Sequence, residues 1–215
     1  TQKRFGPLFG VQFLGALNDN LLKNTMVILI AFKTASEAES GMLINLAAGI
    51  FILPFFLFSA VAGQITDKFE KTRVIRFIKL AEIGIMAVGT ISFLSGLTAL
   101  LFVALFLMGV HSAFFGPAKY SILPQHLSEN ELTDGNAMVE MGTFLAILIG
   151  TLAGGLLAGS RNVAAISVAI LGVAITGWLA LRSGSAAPPA YRAGDIVDLP
   201  SRYFEGHAAS VVIVV

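Results

Sequence analysis

Apolar residues run along this chain in blocks too long for the core helices of a small soluble domain. A spanning helix needs about 20 predominantly apolar residues, and such runs fall at 8–32, 42–65, 75–94, 99–117, 138–158 and 163–181. Stretches such as "LFVALFLMGV" do not alternate apolar with polar positions, which separates them from the strands of a membrane barrel. The pattern predicts an all-α membrane protein whose six transmembrane helices form one bundle over residues 1–182. Glycines scattered through the runs let helix backbones approach closely, as packing in lipid requires. After Arg182 the pattern dissolves into "SGSAAPPAYRAGDIVDLPSRYFEGHAASVVIVV". This segment, 183–215, reads as a cytoplasmic linker or truncated tail and is expected to be disordered; its apolar end, 211–215, is far too short to cross a bilayer.

The first run carries an interruption that lipid would reject: "GALNDNLLKN", residues 15–24. At 100° per residue, Gln12, Asp19 and Lys23 fall within about 40° of one another, flanked by Gly15 and Ala16. An ionised side chain at the bilayer centre costs roughly 2.5–3.5 kcal/mol even on lenient insertion scales, so this face must meet protein or a polar cavity. Asp19 and Lys23, spaced i,i+4, can neutralise each other; that pair is either a structural neutraliser or a binding site. Smaller features read more simply. Lys79 and Glu82 are spaced for an i,i+3 ion pair. Arg76 and Lys79, at the inner end of the third run, are expected to snorkel toward the cytoplasm, as is Lys119 after Pro117. His111 lies mid-span and reads as hydrogen-bonded to a neighbour. Glu140 opens the fifth run, where a carboxylate favours a helix N-terminus.

Composition supports the membrane reading. The 215 residues are 56% hydrophobic and 13% charged, against about 25% charged in ordinary soluble domains, and the mean hydropathy is +0.83. A net charge of +1 gives no reason to expect nucleic acid, and the absence of cysteine excludes disulfides and thiolate metal sites. No signal peptide is recognisable, and Thr1 in place of Met reads as a fragment or processed product. With the N-terminus inside, Lys3, Arg4, Lys68, Lys71, Arg73, Lys119 and Arg182 lie on the cytoplasmic side against Lys33 and Arg161 opposite, so the positive-inside rule predicts a cytoplasmic N-terminus. Catalysis finds little support: His126 with Glu131 only approaches an acyltransferase pair, and there is no Gly-rich phosphate loop, HExxH or nucleophile elbow. No cofactor is expected.

The loop between the second and third runs reads Gly63-Gln64-Ile65-Thr66-Asp67-Lys68-Phe69-Glu70-Lys71-Thr72-Arg73. It resembles the signature loop of the major facilitator superfamily, GxxxD(R/K)xGR(K/R), through Gly63, Asp67, Lys68 and Lys71, with Glu70 and Thr72 as departures. Gly63 is expected to let two helices touch, and Asp67 to meet a helix N-terminus or a cation and hold the inner face shut. Two further signatures are altered: in "ALFLMGVHSAFF" Leu105 replaces the arginine of RxxxG while Gly109 matches, and in "GTLAGG" Gly150, Gly154 and Gly155 match GPxxGG while Thr151 replaces proline. Proton-coupled drug efflux loses support on both counts.

"QFLGALNDNLLKN", "FFGPAKYSILPQ" and "LTDGNAMVEMGT" narrow the likeness. They resemble the bacterial lysophospholipid transporters of that superfamily, and more closely the transporter portion of proteins fused to a glycerophospholipid acyltransferase and acyl carrier protein ligase. The likeness runs from about Phe5 to Leu181. It implies the N-terminal half of a twelve-helix transporter in the bacterial inner membrane. The partners implied are a lysophospholipid substrate, membrane lipids, the missing C-terminal half and a fused acyltransferase beyond residue 215. A zwitterionic head group then suggests Asp19 for the ammonium and Lys23 for the phosphate, with Asn18, Asn20, Asn24 and Gln12 completing the hydrogen bonding. Glu140 falls either at a helix start or in the cavity or gate. "FILPFFLF" and "SAFFGP" are candidate walls for the acyl chain. Two other functions stay open: export of another amphiphile or drug, and a non-transporting anchor for a fused acyltransferase.

Overall fold

In the computed structural model of the chain, which describes residues 2–33 and 36–183, every long apolar run is a helix. The order is α1 (Gln2–Lys33), α2 (Glu37–Lys68), α3 (Lys71–Ser95), α4 (Thr98–Ser121), the single turn α5 (Leu123–His126), α6 (Glu129–Ser160) and α7 (Val163–Ser183). Among the described residues, α2, α3, α4 with α5, α6 and α7 are long and apolar enough to cross a membrane. Helix α1 is as long as any of them but falls short in apolar character, because it carries the polar stretch around Asp19. The tail expectation falls on residues 184–215, outside the described residues.

The helix ends follow local chemistry. Ser36 caps α2 by accepting the Glu39 N–H at 3.2 Å, with Glu37 and Glu39 in the first turn where the helix dipole favours them. Gly96, at φ 71°, closes α3 in the left-handed conformation that glycine adopts without strain. At the start of α6, Glu131 folds back to accept the Ser128 N–H at 3.0 Å and its hydroxyl at 2.8 Å. That cap is where the Glu131 carboxylate is used. Because α6 begins at Glu129 and not near Met138, Glu140 lies three turns inside the helix, and the N-terminal reading of it is wrong.

Helix α1 runs through the middle of the bundle, packing on α6 and α7 and touching α2 and α4; α3 joins α4 to α7, and α2 lies on α4. Small residues set the closest approaches. A Cβ on Gly150 would lie 2.6 Å from the Leu17 carbonyl oxygen, and one on Gly154 3.0 Å from that of Leu21, so α6 rests directly on the α1 backbone. Gly109 does the same for α4 on α2, with the Phe51 carbonyl 2.4 Å from the position of a Cβ. Leu105, in the arginine position of the altered signature, packs in the apolar core.

Two apolar clusters fill the interior. One gathers Phe5, Leu8, Val11, Ile75, Ile78, Phe115 and Ile122, the other Leu22, Met26, Met86, Leu105, Met108 and Ile170. Between them, on α1, α3 and α4 alike, lies a polar layer. Lys79 and Glu82, both 0% exposed, form the i,i+3 ion pair expected from their spacing. Asn18 donates to the other Glu82 oxygen at 3.0 Å, and His111 Nε2 stands 3.5 Å from Oε2 while its ring stacks on Phe115. Lys79 therefore does not snorkel. Its Nζ is enclosed by Gly15 and Gly177, where a Cβ would come within 3.3 and 3.1 Å, and it faces the Phe115 ring at 5.9 Å. Arg76, one turn earlier, is exposed.

Two outcomes follow from this packing. Gly150→Ala should destabilise the bundle by about 1–3 kcal/mol through overpacking, whereas Gly155→Ala, whose Cβ would meet only Ile28 Cδ1 at 3.6 Å, should be neutral or slightly stabilising; unfolding curves in detergent compare them. Glu82→Gln leaves Lys79 charged and unpaired, at a cost of about 3–5 kcal/mol. Adding Lys79→Met should recover most of that loss, and a double-mutant cycle on the same unfolding measurement reads the coupling.

Candidate functional site

Adjacent residues on α1 point to different neighbours because successive side chains diverge by 100°. Asn18 turns to Glu82, and Asp19 turns to α4, where Ser112 Oγ donates to its Oδ2 at 2.6 Å. The second Asp19 oxygen, Oδ1, is buried and has no hydrogen-bond partner among the described residues. A buried carboxylate oxygen left in that state is costly without a donor. Lys23, one turn on, is not that donor: no ion pair joins it to Asp19, and its Nζ lies 5.1 Å from the centre of the Phe51 ring on α2. Mutual neutralisation of Asp19 and Lys23 is therefore not what the fold uses.

The other polar residues of the opening stretch face α6. Gln12 donates to the Val139 carbonyl at 3.0 Å and to Thr143 Oγ1 at 2.9 Å. Asn24 bonds Thr151 Oγ1 at 3.1 Å and Thr25 the Gly154 carbonyl at 3.2 Å. Asn20 donates back to the Ala16 carbonyl at 2.8 Å within its own helix. Gln12, Asn20 and Asn24 thus line the α1–α6 seam, and Thr151, where the antiporter pattern has proline, supplies a hydroxyl there.

Beside this seam the Tyr120 hydroxyl of α4 donates to the Glu140 carboxylate of α6. Lys119 is half-buried, with its Nζ 4.7 Å from the Tyr120 ring centre, and so is not simply turned out to water. Sequence reasoning missed Lys119, Tyr120 and Ser112; the signal was "GPAKYS", a cation and a phenol following Pro117, which could be read as an ordinary helix end. Of the charged groups on these helices, Asp19 bonds Ser112, Glu140 bonds Tyr120, and Lys23 and Lys119 face the rings of Phe51 and Tyr120. Among the described residues no cluster of three or more His, Asp or Glu could hold a metal.

Phe55, Phe56 and Leu57 from "FILPFFLF" lie exposed along α2, and Phe51 sits beneath Lys23. At the α2–α3 turn, Gly63 has open space beyond its Cα, so within these residues it brings no helix close. Asp67, Lys68 and Phe69 are exposed. The helix N-terminus expected to meet Asp67 is instead capped by Glu70, which accepts the Thr72 and Arg73 N–H groups at 2.9 Å each. Burial pushes the Glu70 carboxyl up, but those hydrogen bonds and the Arg73 charge outweigh it and hold it below the ordinary carboxylate range.

Comparison with known proteins places this arrangement. A match to the Major Facilitator Superfamily covers residues 8–204. Lysophospholipid transporter LplT of Salmonella arizonae is 34% identical over 155 residues, covering 72% of this chain and 36% of that protein. The protein of the same name from Citrobacter koseri is 32% identical over 159 residues, 74% of this chain and 37% of that one. That from Escherichia coli is 32% identical over 155 residues, with 72% and 36% covered. The chain therefore spans little more than a third of the length of these relatives. With its apolar helices packed around a polar mid-layer and the superfamily match running through nearly all of them, the chain belongs to the Major Facilitator Superfamily.

Proposed function

We propose that this bundle is the substrate-binding half of a lysophospholipid transporter that moves its substrate across the bacterial inner membrane by alternating access. The observations that carry the reading are the buried Asp19 Oδ1, which has no hydrogen-bond partner among the described residues, and the similarity of the chain to proteins named lysophospholipid transporters. A carboxylate with one oxygen fixed by Ser112 and the other free is prepared for an ammonium donor. Lys119, with Lys23, is suited to the phosphate. Asn18, Asn20, Asn24 and Gln12 act mainly by holding α1 in register. Glu140 orients Tyr120 at the rim.

Alternating access needs a second bundle to rock against, and the greater length of the relatives leaves room for one. The basic residues of the α2–α3 turn and the C-terminal end of α7 support a cytoplasmic N-terminus. On this reading Asp67, exposed and without an ion pair among the described residues, latches the inner face onto that second bundle, with Gly63, Lys68 and Lys71 shaping the turn. A fused acyltransferase would reacylate the delivered lysolipid from a separate domain. The rival readings, a drug exporter or a silent anchor, have no counterpart among the names of the relatives.

Transport into reconstituted vesicles tests the reading. Asp19→Asn in the full transporter should lower uptake of lysophosphatidylethanolamine by at least about tenfold, since a charge-assisted hydrogen bond contributes about 1.5–3 kcal/mol, and should affect lysophosphatidylglycerol less. Adding Lys23→Met should not restore uptake, because the two residues are not each other's partner; rescue by the double variant would refute the site. Asp67→Asn should shift the population toward the inward-facing state. Because the chain has no cysteine, single cysteines placed on either face report that shift by labelling, and identical labelling in parent and variant would remove the latch.

A further inference from the structure

A second charged feature lies on the outside of the bundle, at one end of α3 and α7. Arg73 and Arg76 from the first turns of α3 meet Trp178 and Arg182 from the last turns of α7 around a groove of about 480 Å³, completed by Phe77 and Leu80. The Arg182 guanidinium lies 4.5 Å from the centre of the Trp178 ring, within cation–π range. Among the described residues none of the three arginines forms an ion pair. Glu70 acts on Arg73, but its two oxygens already accept the backbone N–H groups of Thr72 and Arg73.

Three guanidiniums from two helices around one groove repel each other unless an anion lies between them, and planar guanidinium matches phosphate with two parallel hydrogen bonds. The apolar side of the groove identifies the anion's carrier. Phe77 is 68% and Leu80 52% exposed, on helices that cross lipid, so acyl chains cover them. Tryptophan beside arginine at a helix end is the signature of the head-group level. We propose that this groove binds a phospholipid with a net negative head group, such as phosphatidylglycerol, from the leaflet at that end of the bundle. The phosphodiester sits among Arg73, Arg76 and Arg182 and one acyl chain lies along Phe77 and Leu80. A zwitterionic lipid fits less well, because its ammonium would face the same guanidiniums.

Trp178 is the chain's single tryptophan, so the groove carries its own reporter. The intact chain is placed in phosphatidylcholine nanodiscs doped with brominated phosphatidylglycerol or brominated phosphatidylcholine, and quenching of Trp178 gives the relative affinity of the two. A preference of about fivefold for phosphatidylglycerol is expected. It should fall to parity in Arg73→Gln/Arg76→Gln/Arg182→Gln and partway in Arg76→Gln alone, and glycerol 1-phosphate in the buffer should leave it unchanged. Equal quenching by both lipids in the parent, or a preference that survives the triple variant, overturns the proposal. Displacement by glycerol 1-phosphate overturns it too, because the groove would then be a site for soluble anions.

Discussion

Glu82 sits where neither water nor lipid reaches it, and its two oxygens are shared by the Lys79 ammonium, the Asn18 amide and the His111 ring. Lys79 shares α3 with Glu82, whereas Asn18 and His111 come from α1 and α4, so the full set of partners assembles only when all three helices are in register. In a lipid solvent, apolar contact does little to choose one helix arrangement over another, because acyl chains are as good a neighbour as leucine. An unsatisfied buried charge is a far stronger discriminator. The apolar clusters on either side of the polar layer fill space around an arrangement that Glu82 specifies.

The same constraint separates scaffold from site within a single helix. Helix α1 carries more polar side chains than a span can hold, and its neighbours absorb nearly all of them: Asn18 goes to the buried layer, and Gln12, Asn24 and Thr25 go to α6. Gly150 and Gly154 make the second set of bonds feasible by letting α6 reach the α1 backbone. Two buried oxygens of α1 remain without a hydrogen-bond partner among the described residues, Asn18 Oδ1 and Asp19 Oδ1, and only the second belongs to a carboxylate. On the proposed reading the site is the carboxylate oxygen that the fold leaves without a donor among the described residues, between helices held by bonded groups. Tyr120 and Glu140 link α4 to α6 through their own hydrogen bond.

Much of this was legible in the order of residues. Run length and the lack of alternation determined a membrane bundle of helices, because bilayer thickness and backbone hydrogen bonding leave few other solutions. Spacing predicted the Lys79–Glu82 pair, since i,i+3 neighbours on a helix lie within reach of each other, and the α2–α3 turn with its Asp67 announced the superfamily. Tertiary structure decided which way each polar side chain faces. Asp19 and Lys23 are spaced to pair, yet Ser112 and Phe51 take them apart. Lys79 could have snorkelled, but Glu82 and the space beside Gly15 and Gly177 draw it inward. Glu140 seemed to open a helix that in fact starts at Glu129, because the capping residues Ser128 and Glu131 extend it through a polar segment that hydropathy alone ends early. Periodicity describes a helix against a uniform surrounding. A polar group in lipid instead takes whichever partner lies within about 3 Å, and only the packing of distant segments supplies that partner.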